Sequence, residues 1–174
     1  AGPVTGAARA ADIGPGLAKA ALAIKVDGQL RDLSRSIEAD ANVEIVTRDH
    51  DDALELLRHD AAHVFAEAVQ ELFPGTQITF GPAIEDGFYY DFYREEPFTP
   101  DDFEAMEKRM QKIVDRDEKI IREIWDRDSA VKHFSDVGET FKAEHIGTIP
   151  ADQDISIYRQ GDWLDLCTGP HLPS

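Results

Sequence analysis

One unbroken stretch most constrains this chain. Between Asp51-Asp52 and Pro74-Gly75 there is no proline or glycine, and apolar residues recur at Leu57, Ala61, Val64, Phe65, Ala68 and Leu72. That spacing marks one face of a helix. Asp51 or Asp52 can cap its start, where acidic side chains suit the positive helix end. The helix is expected to run to about Phe73 and to stop at Pro74-Gly75. The turn signals on both sides leave room mainly for short strands, so the long helix must cover a small antiparallel sheet.

Residues 1 to about 50 read as a small α+β unit. Ala7 to Ala11 and Leu17 to Ala21 are alanine-rich helical segments split by Gly14-Pro15-Gly16. Leu22 to Val26 and Gln29-Leu30 read as strands joined at Asp27-Gly28, a dipeptide that accepts the positive φ angles of a two-residue hairpin turn. Val43 to Val46 reads as a third strand, and three short strands make a thin core.

Residues 51–174 read as a second unit. Thr76 to Phe80 and Phe88 to Tyr93 are rich in aromatic and β-branched residues and are expected as strands, with turns at Gly81-Pro82 and Asp86-Gly87. Alternation sends Phe88, Tyr90 and Phe92 to one side and Tyr89, Asp91 and Tyr93 to the other. Pro97 to Asp101 opens a helix to about Glu118, with Phe103, Met106, Met110, Ile113 and Val114 at helical spacing. Then come a strand at Ile120 to Trp125, a helix at Ser129 to Val137 and a hairpin from Ile155 to Leu166 around Gln160-Gly161.

Chemistry concentrates in two places. In His59-Asp60-Ala61-Ala62-His63 the histidines stand four apart and project from one side of the long helix, nearly opposite its apolar stripe. Their neighbours there are Ala62 and Ala66, so they look into a cleft with small walls rather than out among charges. In Asp165-Leu166-Cys167-Thr168-Gly169-Pro170-His171 the Gly-Pro pair forbids a helix, yet a turn at a strand end can bring Cys167 and His171 together. Taken singly, these are also what surface histidines and a small buried thiol look like. Together, three imidazoles and a thiol can bind zinc tetrahedrally, or hold and polarise a water for hydrolysis.

These residues, with Gly81 to Asp91 and Phe141-Lys142, resemble bacterial threonyl-tRNA synthetases in order and spacing over essentially the whole chain. Asp12 to Ala20 is similar to that family's ubiquitin-like N-terminal domain, whose opening hairpin is missing here, and residues 51–174 resemble its editing domain. The implied fold class is α+β: an incomplete ubiquitin-like unit followed by an α/β editing domain. The implied activity is hydrolysis of serine wrongly attached to tRNA(Thr). Resemblance places the catalytic set on His59, His63, Cys167, His171 and Lys142, and substrate contacts on Asp165, Gly81 and Tyr90, with no metal. It implies no cofactor within these residues. ATP with magnesium, and zinc, belong to an aminoacylation core that would follow Ser174 in a homodimeric enzyme; the present segment alone is expected to be a monomer.

Charge and composition limit the alternatives. A net charge of -17 argues against a phosphate-gripping basic face, so contact with RNA would rest on a few placed cations or on other domains. No apolar run can span a bilayer, Ala1 to Gly6 lacks the basic and apolar regions of a leader, and the single cysteine suits a reducing cytoplasm. Two rival readings remain: a zinc-dependent hydrolase of the alanyl-editing type, and a non-catalytic module that binds RNA or protein.

Overall fold

A computed structural model describes residues 4–174; Ala1, Gly2 and Pro3 of the stretch read for a leader lie outside the described residues. The first unit contains β1 (Val4–Thr5), α1 (Gly6–Ile13), α2 (Pro15–Ala20), β2 (Ala23–Val26), β3 (Gln29–Asp32), β4 (Ser36–Ile37) and β5 (Val43–Val46). Thr5 caps α1 by accepting a hydrogen bond from the Ala8 amide at 3.2 Å. Asp27 and Gly28 both take positive φ, so β2 and β3 form the expected tight hairpin. β2 is the central strand, antiparallel to β3 and β5. The two-residue ladder of β1 with β4 was not expected, because two residues carry no alternation to read.

Helix α1 packs closely on β2. A Cβ on Gly6 would lie 2.4 Å from Ile24 Cγ2, so only glycine lets the helix start sit on that strand. Ala10, Ala21, Ile24, Val26 and Leu33 form the small core. A second cluster, Ala23, Val46, Ala53 and Leu56 with Leu172 against it, ties this unit to the next.

The second unit begins with α3 (Ala53–Leu72), followed by the short strands β6 (Gln77–Ile78), β7 (Ala83–Ile84), β8 (Gly87–Phe88) and β9 (Phe92–Tyr93). Then come α4 (Pro100–Asp115), β10 (Ile120–Trp125), α5 (Arg127–Asp136), α6 (Thr140–Thr148), β11 (Ile155–Gln160) and β12 (Trp163–Leu166). β10, β11 and β12 form one antiparallel sheet, and α5 and α6 cover it through Ala130, Phe134, Ala143 and Ile146 against Ile155 and Ile157. All strand pairings among the described residues are antiparallel, which makes the fold α+β. Helix α3 lies beside α4 and the β7–β8 ladder, and reaches β12 through Gln70, whose side-chain oxygen accepts from the Trp163 indole at 2.8 Å.

Several local expectations change. Phe88 to Tyr93 is not one strand: β8 and β9 pair with different partners, and Tyr89 to Asp91 crosses between them. The alternation itself holds, with Phe88, Tyr90 and Phe92 half-buried and Tyr89, Asp91 and Tyr93 exposed. The strand expected at Thr76 to Phe80 shrinks to Gln77–Ile78. Asp52 gives α3 no side-chain cap; its carboxylate pairs with Lys25 at 2.5 Å instead. On α4, Phe103 and Val114 are exposed, and Met106 and Ile113 alone are fully buried. Helix α6 was not anticipated, because its amphipathic signal is inverted: Phe141 faces out and Lys142 faces in.

Candidate active site

The long helix packs on both sides, its apolar stripe toward α4 and its histidine side toward the rest of the second unit. Leu57 of the stripe is exposed, whereas Ala62, His63 and Ala66 on the histidine side are buried. The small alanines let the rest of the second unit approach this face closely. His59 and His63 therefore open onto a cleft of about 310 Å³, which Cys167, Asp165, Tyr90 and Gly81 also line.

The end of the chain folds back to meet them. β12 holds Asp165, and the following turn carries Cys167 across to α3. His59 Nε2 lies 3.2 Å from the Cys167 sulfur, and His171 Nε2 lies 3.3 Å from it. The His63 and His171 rings are 4.4 Å apart between centroids. Asp60, between the two histidines in sequence, accepts from His171 Nδ1 at 2.5 Å and from the Leu172 amide at 2.8 Å. The H-x-x-x-H and C-x-x-x-H pairs thus form one cluster. Asp60 is a member of the cluster that spacing alone did not single out, because the partners of its carboxylate lie 111 and 112 positions away.

Charge in the cluster follows from burial and these contacts. Burial drives the His63 pKa down to about 4, so its ring is neutral at pH 7. Burial also opposes a charge on His171, but Asp60 and then Cys167 outweigh it and lift its pKa to about 9. Burial alone would raise the Cys167 pKa; hydrogen bonds from His171, His59 and His63 reverse this and hold it well below the usual thiol value. The buried corner thus sets a proton-holding His171 between the Asp60 carboxylate and the Cys167 sulfur.

Asp165 in the cavity lining and Lys142 just behind it form a second polar group. Lys142 is 3% exposed and Asp165 1%, and they are ion-paired. Burial pulls the Lys142 pKa down, while the Glu139 carboxylate resists it. Tyr90 donates its hydroxyl to Asp165 Oδ2 at 2.8 Å, and His63 Nδ1 stands 4.0 Å from the same oxygen. Lys142 is therefore no surface lysine and Asp165 no plain turn residue. Lys142 stands behind Asp165, not in the cavity lining.

Gly81 is where the backbone passes the Tyr90 ring. A Cβ there would sit 2.0 Å from Tyr90 Cδ2. Gly81→Ala should push Tyr90 off Asp165 and cost about 1–3 kcal/mol, as overpacking does, measured by urea unfolding. A variant as stable as the parent would show that the ring moves freely.

The cluster is also competent to hold a metal. One donor atom each from His59, His63, Cys167 and His171 lie within 4.8 Å of one another. A tetrahedral zinc needs neighbouring ligands roughly 3.3–3.8 Å apart, so small movements would suffice. Asp60 behind His171 is the kind of carboxylate that orients a metal-bound imidazole.

Comparison with known proteins places the sequence. Residues 9–47 match the TGS domain. Over 173 residues, the chain is 65% identical to the threonine--tRNA ligase of Rhodospirillum rubrum, covering 99% of this chain and 27% of that protein. It is 63% identical over 172 residues to the ligase of Parvibaculum lavamentivorans, again 99% of this chain and 26% of the relative. For Thiobacillus denitrificans the figures are 64% over 174 residues, 99% and 27%. The chain thus spans about a quarter of the length of these relatives.

Proposed function

From a chain homologous over 99% of its length to threonine--tRNA ligases, we infer a hydrolytic site that removes serine wrongly attached to tRNA(Thr). The observation that carries this reading is the grouping of His59, His63 and Cys167 along one cavity with Asp165 beside His63. Such a grouping can hold and deprotonate a water beside an ester, with a carboxylate placed for an amino group.

The need for such a site is physical. A pocket built for threonine cannot reject serine by size, because one missing methyl is worth only about 1–3 kcal/mol. A second pocket that admits serine and clashes with the extra methyl of threonine supplies the rest. Asp165, held by Lys142 and Tyr90, binds the seryl ammonium or hydroxyl. His63, neutral with a pKa of about 4, is a weak base and holds the water. His59, on the same helix face and open to the cavity, takes its proton as the water attacks the carbonyl carbon. The ester C–O bond then breaks, and the imidazolium returns the proton to the leaving ribose oxygen. Phe80 and Tyr89, exposed at the mouth, offer faces on which a nucleobase can stack.

No step consumes ATP. In this reading the ATP-dependent ligation, its magnesium and zinc, the homodimer and most of the grip on the tRNA body reside in the rest of a longer enzyme working in the cytoplasm. No helix among the described residues is long and apolar enough to cross a membrane.

The donor geometry favours one second reading, a zinc site in which His59, His63, Cys167 and His171 would hold the ion. Bound there, zinc would polarise the attacking water. Against it, a Lewis acid would grip the hydroxyl of threonine as readily as that of serine and weaken the discrimination. One assay tests both readings: follow release of serine and of threonine from the two charged tRNAs without ATP, before and after stripping with a strong chelator. Serine release should far exceed the spontaneous rate, threonine should be spared, and chelation should change the rate less than about twofold. Equal release of both amino acids would defeat the size argument. Loss on chelation with recovery on zinc would give the site to the metal.

A further inference from the structure

We propose that Asp32, on the TGS unit, is a positioning residue of the hydrolytic site on the neighbouring unit. This rests on the function proposed above. Asp32 ends β3, 139 positions before His171, yet its Oδ1 accepts the His171 backbone N–H at 2.7 Å. Its Oδ2 accepts the Tyr158 hydroxyl at 2.8 Å. The carboxylate is buried, and both of its oxygens are used at this junction between the two units.

The consequence falls on His171. Asp32 fixes its backbone nitrogen, and Asp60 fixes the next backbone nitrogen and the imidazole. The Tyr158 ring, tethered by Asp32, lies 4.2 Å from the His171 ring between centroids. It also fills the space beside Gly169, where a Cβ would meet its hydroxyl at 2.0 Å. The segment from Gly169 to His171 is thus held between two carboxylates from different units. That clamp sets where His171 Nε2 meets the Cys167 sulfur. A backbone N–H needs an acceptor at a fixed place, so an acceptor supplied by the TGS unit couples that unit to the geometry of the cluster.

The test compares three substitutions, with circular dichroism as the check on folding. Asp32→Leu keeps the branched outline in a somewhat larger side chain and removes both acceptors. Asp32→Asn keeps an acceptor oxygen at the same reach. Asp32→Ser leaves room for water and serves if the leucine variant does not fold. Two quantities are read on chelator-stripped protein: kcat and KM for serine release, and the rate of Cys167 alkylation by iodoacetamide at pH 7.5. The leucine or serine variant should lose about 10- to 100-fold in kcat with KM little changed, as expected when a reacting group is displaced by an ångström. Its alkylation rate should shift several-fold, because the His171 ring that sits 3.3 Å from the Cys167 sulfur is displaced and no longer covers it in the same way. Asp32→Asn should stay within about threefold of the parent in both readings. Parental kcat and alkylation in a folded leucine or serine variant would overturn the proposal, and so would a loss confined to KM. If the parent chain releases no serine at all, the hydrolytic reading fails; the alkylation rates still decide whether Asp32 positions His171.

Discussion

His59→Ala should lower the rate of serine release by about 10²- to 10⁴-fold, the range expected when a general base is removed. The size follows from the division of labour between the two helix histidines. With a pKa of about 4, His63 is a poor proton acceptor at pH 7 and cannot take over. His171 is committed to Asp60 and Cys167 and stands outside the cavity lining. The substitution also removes the 3.2 Å contact to the Cys167 sulfur, but alanine suits the helix and the site is only half-buried, so the fold should survive. His63→Ala is a harsher change to the structure, because that ring is buried against His171 and the Trp163 indole. Single-turnover deacylation with saturating protein separates the two variants. His59→Ala should be slow with unchanged binding, and a His59→Ala rate within threefold of the parent would move the base elsewhere.

What could be read from the sequence, and what could not, divides along a physical line. Turns and periodicity are local, so the β2–β3 hairpin, the span of α3 and the β11–β12 hairpin all fall within a residue or two of expectation. The cluster of His59, His63, Cys167 and His171 was legible as a residue set because its members carry unusual chemistry at recognisable spacing. The cleft side of α3 was legible too, because Ala62 and Ala66 beside the histidines leave small walls. Hydrophobic periodicity does not show how tightly that side is packed, because alanines and a histidine are buried there alongside Leu56 and Val69, so that the rest of the second unit comes close enough to build a site. Helix α6 went unread because a lysine, Lys142, is buried beside Ala143 and Ile146 while Phe141 faces out. Asp32 and Asp60 were invisible as site residues because their partners lie more than a hundred positions away. A buried carboxylate declares itself only when the donor it serves is seen. Local rules therefore give the elements, while the polar residues that join elements must be found in three dimensions.

Lys142→Met should be the most destabilising single change in the site, at about 3–5 kcal/mol by urea unfolding. Lys142 and Asp165 are both almost wholly buried, and removing the ammonium leaves a carboxylate in the interior with the Tyr90 hydroxyl as its near donor. The methionine fills the same space, so the cost reports charge rather than a cavity. Adding Asp165→Asn to Lys142→Met neutralises the orphaned carboxylate while keeping an oxygen for Tyr90 to donate to. The double variant should regain most of the lost stability, because a neutral pair in a buried place is no worse than an ion pair. Serine release should not return with it, since the negative group that takes the seryl ammonium is then gone. This opposite movement of stability and rate separates a binding role for the pair from a structural one. If Lys142→Met unfolds at the parental urea concentration, burial has already neutralised the lysine, and Asp165 must share its proton rather than its charge. If the double variant regains both stability and rate, the pair serves the fold alone, and the seryl ammonium must be bound by another group lining the cavity.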